Sequence, residues 1–95
     1  MDLLNVAVNR IYYGIFYSLT ILRTKGYRFF FYINDHHPPH IHVEKERSTA
    51  KFLLKNAELV KSKRFNASEL SEMRKIILEN IELFKTKWDE RFTNY

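Results

Sequence analysis

The sequence predicts an α+β fold in which a small antiparallel sheet packs against one long C-terminal helix. Three observations predict it. Strand-like runs bounded by turn residues occupy residues 20–61, an apolar stripe of helical period occupies residues 67–92, and 95 residues suffice for one hydrophobic core but not two.

Thr20 to Arg23 is a short strand closed by the turn Thr24-Lys25-Gly26, with Gly26 as the positive-φ residue. Tyr27 to Ile33 is a run of aromatic and β-branched residues. Its alternation places Tyr27, Phe29, Phe31 and Ile33 on one face and Phe30 and Tyr32 on the other, so both faces are apolar and the strand belongs in the middle of the sheet. Asn34 to Pro39 interrupt the pattern, because two successive prolines remove two N–H donors and hold the backbone in extended or turn geometry.

His40 to Lys45 is a half-buried strand, with Ile41 and Val43 on one side and His40, His42 and Glu44 on the other. After the turn Glu46-Arg47-Ser48, residues Thr49 to Leu54 alternate again, with Ala50, Phe52 and Leu54 facing together. Asn56 marks a further turn, and Ala57 to Lys61 is a short last strand carrying Leu59. The strands read as an antiparallel meander.

Leu70, Met73, Ile77, Ile81, Phe84, Trp88 and Phe92 recur every three or four residues, which is one face of a helix. Its start carries a capping box, Asn66 with Glu69, and a hydrophobic staple, Phe65 with Leu70. Ala67 to Phe92 therefore reads as a single helix whose stripe buries against Ile41, Val43, Phe52 and Leu54.

Residues 1–17 read as an N-terminal extension, a candidate helix, ahead of an α+β domain spanning 18–95. The uncharged run from Ile11 to Leu22 lies between Arg10 and Arg23 and falls short of the about 20 residues a membrane helix needs. Ile11, Ile15 and Phe16 are the side chains through which such an extension would form a homodimer.

The net charge of +5 and pI near 9.6 favour an anionic partner, either phosphate in RNA or DNA or an acidic protein. With no cysteine, disulfides, thiolate nucleophiles, cysteine zinc sites and iron–sulfur clusters are excluded, and a reducing cytoplasmic location is expected.

All four histidines and both prolines fall between His36 and His42, in a loop running into a strand. His40 and His42 are two apart on a strand, so their imidazoles project to the same side and can chelate. A third ligand from His36, His37, Asp35 or Glu44 would complete a site for a divalent metal such as zinc, iron or nickel. Imidazole also suits acid–base catalysis near neutrality, and His36, His40 and His42 are the candidate catalytic and metal-binding residues. Asp35 or Glu44 would orient an imidazole, while Arg28, Lys45 and Lys51 are candidate phosphate contacts.

The segment from Gly26 through the run Asp35-His36-His37-Pro38-Pro39-His40-Ile41-His42-Val43, with Ala50 to Leu53, Phe65-Asn66 and a helix reaching Trp88, resembles the small prokaryotic domain-of-unknown-function family 4160. The hallmark of that family is a carboxylate, His, any residue, Pro-Pro-His, any residue, His-Val. His36, Pro38, Pro39, His40 and His42 occupy its fixed positions, and His37 the variable one. The resemblance implies a compact α/β domain without an assigned activity, and an adjacent-gene protein partner in a toxin–antitoxin-like two-gene module. Three functional readings follow: a nucleic-acid-directed protein using histidine chemistry, a metal-binding domain, and a noncatalytic protein-interaction module.

Overall fold

We describe residues 17–92 of a computed structural model of the chain. Five strands, β1 (Ser18–Thr24), β2 (Tyr27–Tyr32), β3 (His40–Lys45), β4 (Ser48–Leu53) and β5 (Glu58–Lys63), are followed by helices α1 (Ala67–Glu79) and α2 (Ile81–Phe92). The strands pair antiparallel in chain order, the meander expected from the sequence. The β1–β2 hairpin turns on Lys25 and Gly26, both at positive φ, the backbone pair a tight two-residue turn requires. The proposed extension 1–17 lies outside the described residues apart from Tyr17, whose carbonyl accepts a hydrogen bond from the Ile33 amide at 3.1 Å.

The helices cover one face of the sheet. Phe29, Phe31, Ile41, Val43, Phe52 and Leu54 are fully buried with Met73, Ile77, Phe84 and Trp88, and Leu70 and Ile81 pack at the margin. Phe29 stacks on Phe84 with ring centroids 5.7 Å apart, and Phe31 meets Trp88 edge-on at 5.2 Å. On the opposite face of β2, neighbouring side chains of the sheet surround Phe30. The Arg28 guanidinium lies 4.2 Å from the Phe30 ring centre, and Tyr32 and His42 close the remaining sides, leaving Phe30 buried.

The start of α1 is as predicted, with Asn66 Oδ1 accepting from the Glu69 amide at 2.8 Å and Glu69 Oε1 accepting from the Asn66 amide at 3.0 Å. The single helix of residues 67–92 is instead two. Asn80 leaves helical geometry at φ −119° and ψ 21°, and its side-chain amide donates to the Ile76 carbonyl at 2.8 Å, satisfying a carbonyl at the end of α1. The apolar stripe runs through this break without losing register, so spacing alone could not reveal it. Two smaller differences concern Ile33, which is exposed rather than buried with the sheet face, and β5, which runs from Glu58 to Lys63 with every residue, Leu59 included, exposed.

Among the described residues, no helix is long and apolar enough to cross a membrane.

Candidate metal centre

The site is built where β2 ends and β3 begins. After Tyr32 the chain turns so that Asp35 folds back. Its Oδ2 accepts from the Tyr32 amide at 2.8 Å, and the Asp35 amide donates to the Tyr32 carbonyl at 3.1 Å. This fixes the carboxylate beside the first residues of β3. The prolines then return the chain to the sheet, where the Pro39 carbonyl accepts from the Leu54 amide at 3.0 Å. From the start of β3, His40 and His42 project together, with ring centroids 4.9 Å apart.

Three atoms converge at this point. Asp35 Oδ1 lies 3.0 Å from His40 Nε2 and 3.2 Å from His42 Nε2, and one ligand atom from each residue falls within 4.8 Å of the others. Ligand atoms around an ion with bonds of about 2.0–2.1 Å stand about 3.0–3.4 Å apart. The spacing is therefore compatible with a shared metal ion. Packing holds each group in place. Phe30 stacks against His42 at 5.4 Å and Tyr32 meets it edge-on at 4.6 Å, while Trp88 lies 5.1 Å from His40.

Hydrogen bonding decides which nitrogens are offered. His40 Nδ1 donates to the Pro38 carbonyl at 2.9 Å, which leaves the Nε2 lone pair of a neutral ring directed at the cluster. Although Asp35 Oδ1 is 3.0 Å from that Nε2, it lies off the ring's hydrogen-bonding direction, so Nε2 is buried without an aligned partner. Two ligands that share an ion have this relationship: each aims at the ion and not at the other. His42 Nε2, by contrast, is aligned to donate to Asp35 Oδ1.

Burial of Asp35 opposes its charge, but the adjacent His40 and His42 rings and the hydrogen bond from the Tyr32 amide outweigh it and hold the carboxyl well below the ordinary range. Asp35 is thus an anion across the neutral pH range, as a metal ligand must be. Burial also raises the Tyr32 hydroxyl, with the carboxylates of Glu44 and Asp35 adding to it against Arg28.

The residues singled out from sequence divide into groups. Asp35, His40 and His42 come together. His36 is exposed and, though it borders the same cavity as Asp35 and His40, does not supply one of the three converging atoms, so Asp35 takes the place expected for it. His37 is exposed and lies edge-on to Trp88 at 5.5 Å. Arg28 and Glu44 pair with each other at 3.0 Å, and Arg28 also donates to Thr20 Oγ1 at 2.7 Å and to Ser18 Oγ. That guanidinium is committed to the wall behind Phe30. Lys45 lies over the Tyr27 ring, 5.1 Å from its centre. Lys51 pairs across strands with His42 and borders cavities on both sides of the cluster, one of about 460 Å³ and one of about 770 Å³. Sequence reasoning missed the Pro38 carbonyl as an orienting group and the contact of Trp88 with His40, and no pattern along the chain marks either.

Fold and site together define a small α+β domain with a two-histidine, one-carboxylate cluster at one end of its sheet. Residues 26–89 match the family described as Domain of unknown function (DUF4160), and the chain belongs to that family. Neither a curated protein nor a solved structure matches the chain.

Proposed function

We propose that this domain binds one divalent transition-metal ion through Asp35 Oδ1, His40 Nε2 and His42 Nε2. The observation that carries the reading is the buried His40 Nε2, unpaired in its own direction, at the meeting point of a second imidazole and an ionised carboxylate. Two nitrogens and one oxygen without a thiolate suit zinc, iron or nickel. Three protein ligands leave further coordination positions for water or substrate, which distinguishes a reactive site from a closed structural one. The Pro38 carbonyl behind His40 and the Tyr32 amide behind Asp35 are the outer contacts that keep such ligands oriented.

Elemental analysis of protein purified without a histidine tag tests the proposal. About one equivalent of a single transition metal is expected, falling to background in His40→Ala and His42→Ala. Metal-free protein that takes up no zinc, iron or nickel after chelation and dialysis would overturn it. That result would favour the noncatalytic interaction module, with an adjacent-gene product as partner.

A further inference from the structure

The face of the sheet turned away from the helices carries a second feature, apart from the three metal-ligating atoms. Register places Thr20, Phe30, His42, Lys51 and Lys61 side by side across the five strands, with Thr49 and Lys63 paired in the adjoining row. Lys51 and Lys61 are therefore direct cross-strand neighbours of like charge, an arrangement that costs stability unless an anion lies between them. Together with Lys63 they line the cavity of about 460 Å³, within the range of small-ligand sites, and among the described residues no carboxylate lines it. Two other cations are paired, Arg28 with Glu44 on the sheet and Lys25 with Glu72 at the hairpin turn. Among the described residues, no carboxylate lies within ion-pairing distance of Lys51, Lys61 or Lys63.

We propose that this cavity binds the phosphate group of a phosphate ester, held by Lys51, Lys61 and Lys63 with His42 as its inner wall. Phosphate suits the site because three ammonium groups act as point charges on a multivalent anion, and the Thr49 hydroxyl adds a donor. Phe30, which borders the cavity, is covered by Arg28, Tyr32 and His42 and is only 2% exposed, so its face is closed to stacking. Recognition through the lysines is indifferent to base identity. The site does not require the metal ion, although a ligand in it would lie beside His42.

The test is calorimetric titration of the full chain at low salt, first with EDTA present, using inorganic phosphate, AMP, CMP and a single-stranded RNA ten-mer in turn. Binding of AMP and CMP within about threefold of each other supports the proposal and marks a small phosphate ester. Binding of the RNA alone supports it and marks a phosphodiester. In either case Lys51→Ala/Lys61→Ala should weaken affinity at least tenfold, and Lys75→Ala/Lys85→Ala, an equal loss of charge on the exposed helix surface, by less than twofold. Equal losses in the two double variants would reveal nonspecific attraction and overturn the proposal. So would failure of all four probes to bind. Binding that appears only on adding zinc and disappears in Asp35→Asn would place the phosphate on the ion and not on the lysines, overturning this site while supporting the metal centre.

Discussion

The Asp35 carboxylate stands 3.0 Å from His40 Nε2 while the other nitrogen of the same ring donates to the Pro38 carbonyl at 2.9 Å. Backbone and carboxylate thus act on opposite sides of one imidazole. The first sets the tautomer, and the second places negative charge beside the unpaired Nε2, off the direction of its lone pair.

Metal affinity should separate the histidines by position and not by number. His40→Ala and His42→Ala are each expected to lower zinc affinity at least tenfold in a competition titration with a chromogenic chelator, and His36→Ala by less than twofold. A large loss in His36→Ala would move the centre into the loop.

Uptake of metal should move the hydrogen of His42. Its Nε2 donates to Asp35 Oδ1 in the metal-free arrangement, so ligation through this nitrogen requires the hydrogen of a neutral ring to pass to Nδ1. Long-range proton–nitrogen NMR reads that tautomer directly. A His42 ring that keeps its hydrogen on Nε2 with zinc bound would contradict ligation through this nitrogen.

Asp35 should make an acid-labile contribution to folding. Its folded value is depressed below an ordinary 3.8, so the contribution is fully present above the unfolded value and is lost as pH falls below about 4 and on toward the folded value. Urea unfolding of the wild type and Asp35→Asn, both metal-free, should show the largest difference near neutrality and a shrinking one in acid. A difference that grows on acidification would contradict the sign.

Tyr27 makes the opposite prediction at high pH. Burial, followed by donation to Glu72 Oε1 at 2.9 Å, pushes its hydroxyl up to about 12. Because the folded value exceeds the unfolded one, stability is complete below about pH 10 and declines as pH rises toward 12. Tyr27→Phe should lose that decline, as read from thermal unfolding at pH 9 and pH 11.

Trp88 connects core to site and is the only tryptophan in the chain. Fully buried against Phe31 and Phe92 and 5.1 Å from the His40 ring, it should cost about 3–5 kcal/mol on truncation to Ala. In the intact protein its fluorescence should change on zinc addition. Trp88→Phe, which keeps a ring in the core, should preserve zinc affinity.

The fold was legible because its elements are written in single residues. Ile41 and Val43 alternate with His40 and His42, Gly26 marks the hairpin, and Asn66 with Glu69 marks the start of α1. The break at Asn80 was hidden because the stripe from Leu70 to Phe92 keeps its phase across it. For the site, strand geometry brought His40 and His42 together from sequence, and Asp35 stood among the alternatives for the third ligand. Choosing it over His36 depended on the turn after Tyr32, a backbone conformation that side-chain pattern does not encode. Lys61 and Lys63 escaped notice because their proximity to His42 depends on strand register across β3, β4 and β5.

The most direct measurement is the long-range proton–nitrogen NMR spectrum of the four imidazoles before and after one equivalent of zinc. The expected result is that His40 carries its proton on Nδ1, that the Nε2 resonances of His40 and His42 shift together on saturation, and that those of His36 and His37 stay in place. Shifts confined to His36 and His37, or none with zinc in excess, would contradict a metal centre built from Asp35, His40 and His42.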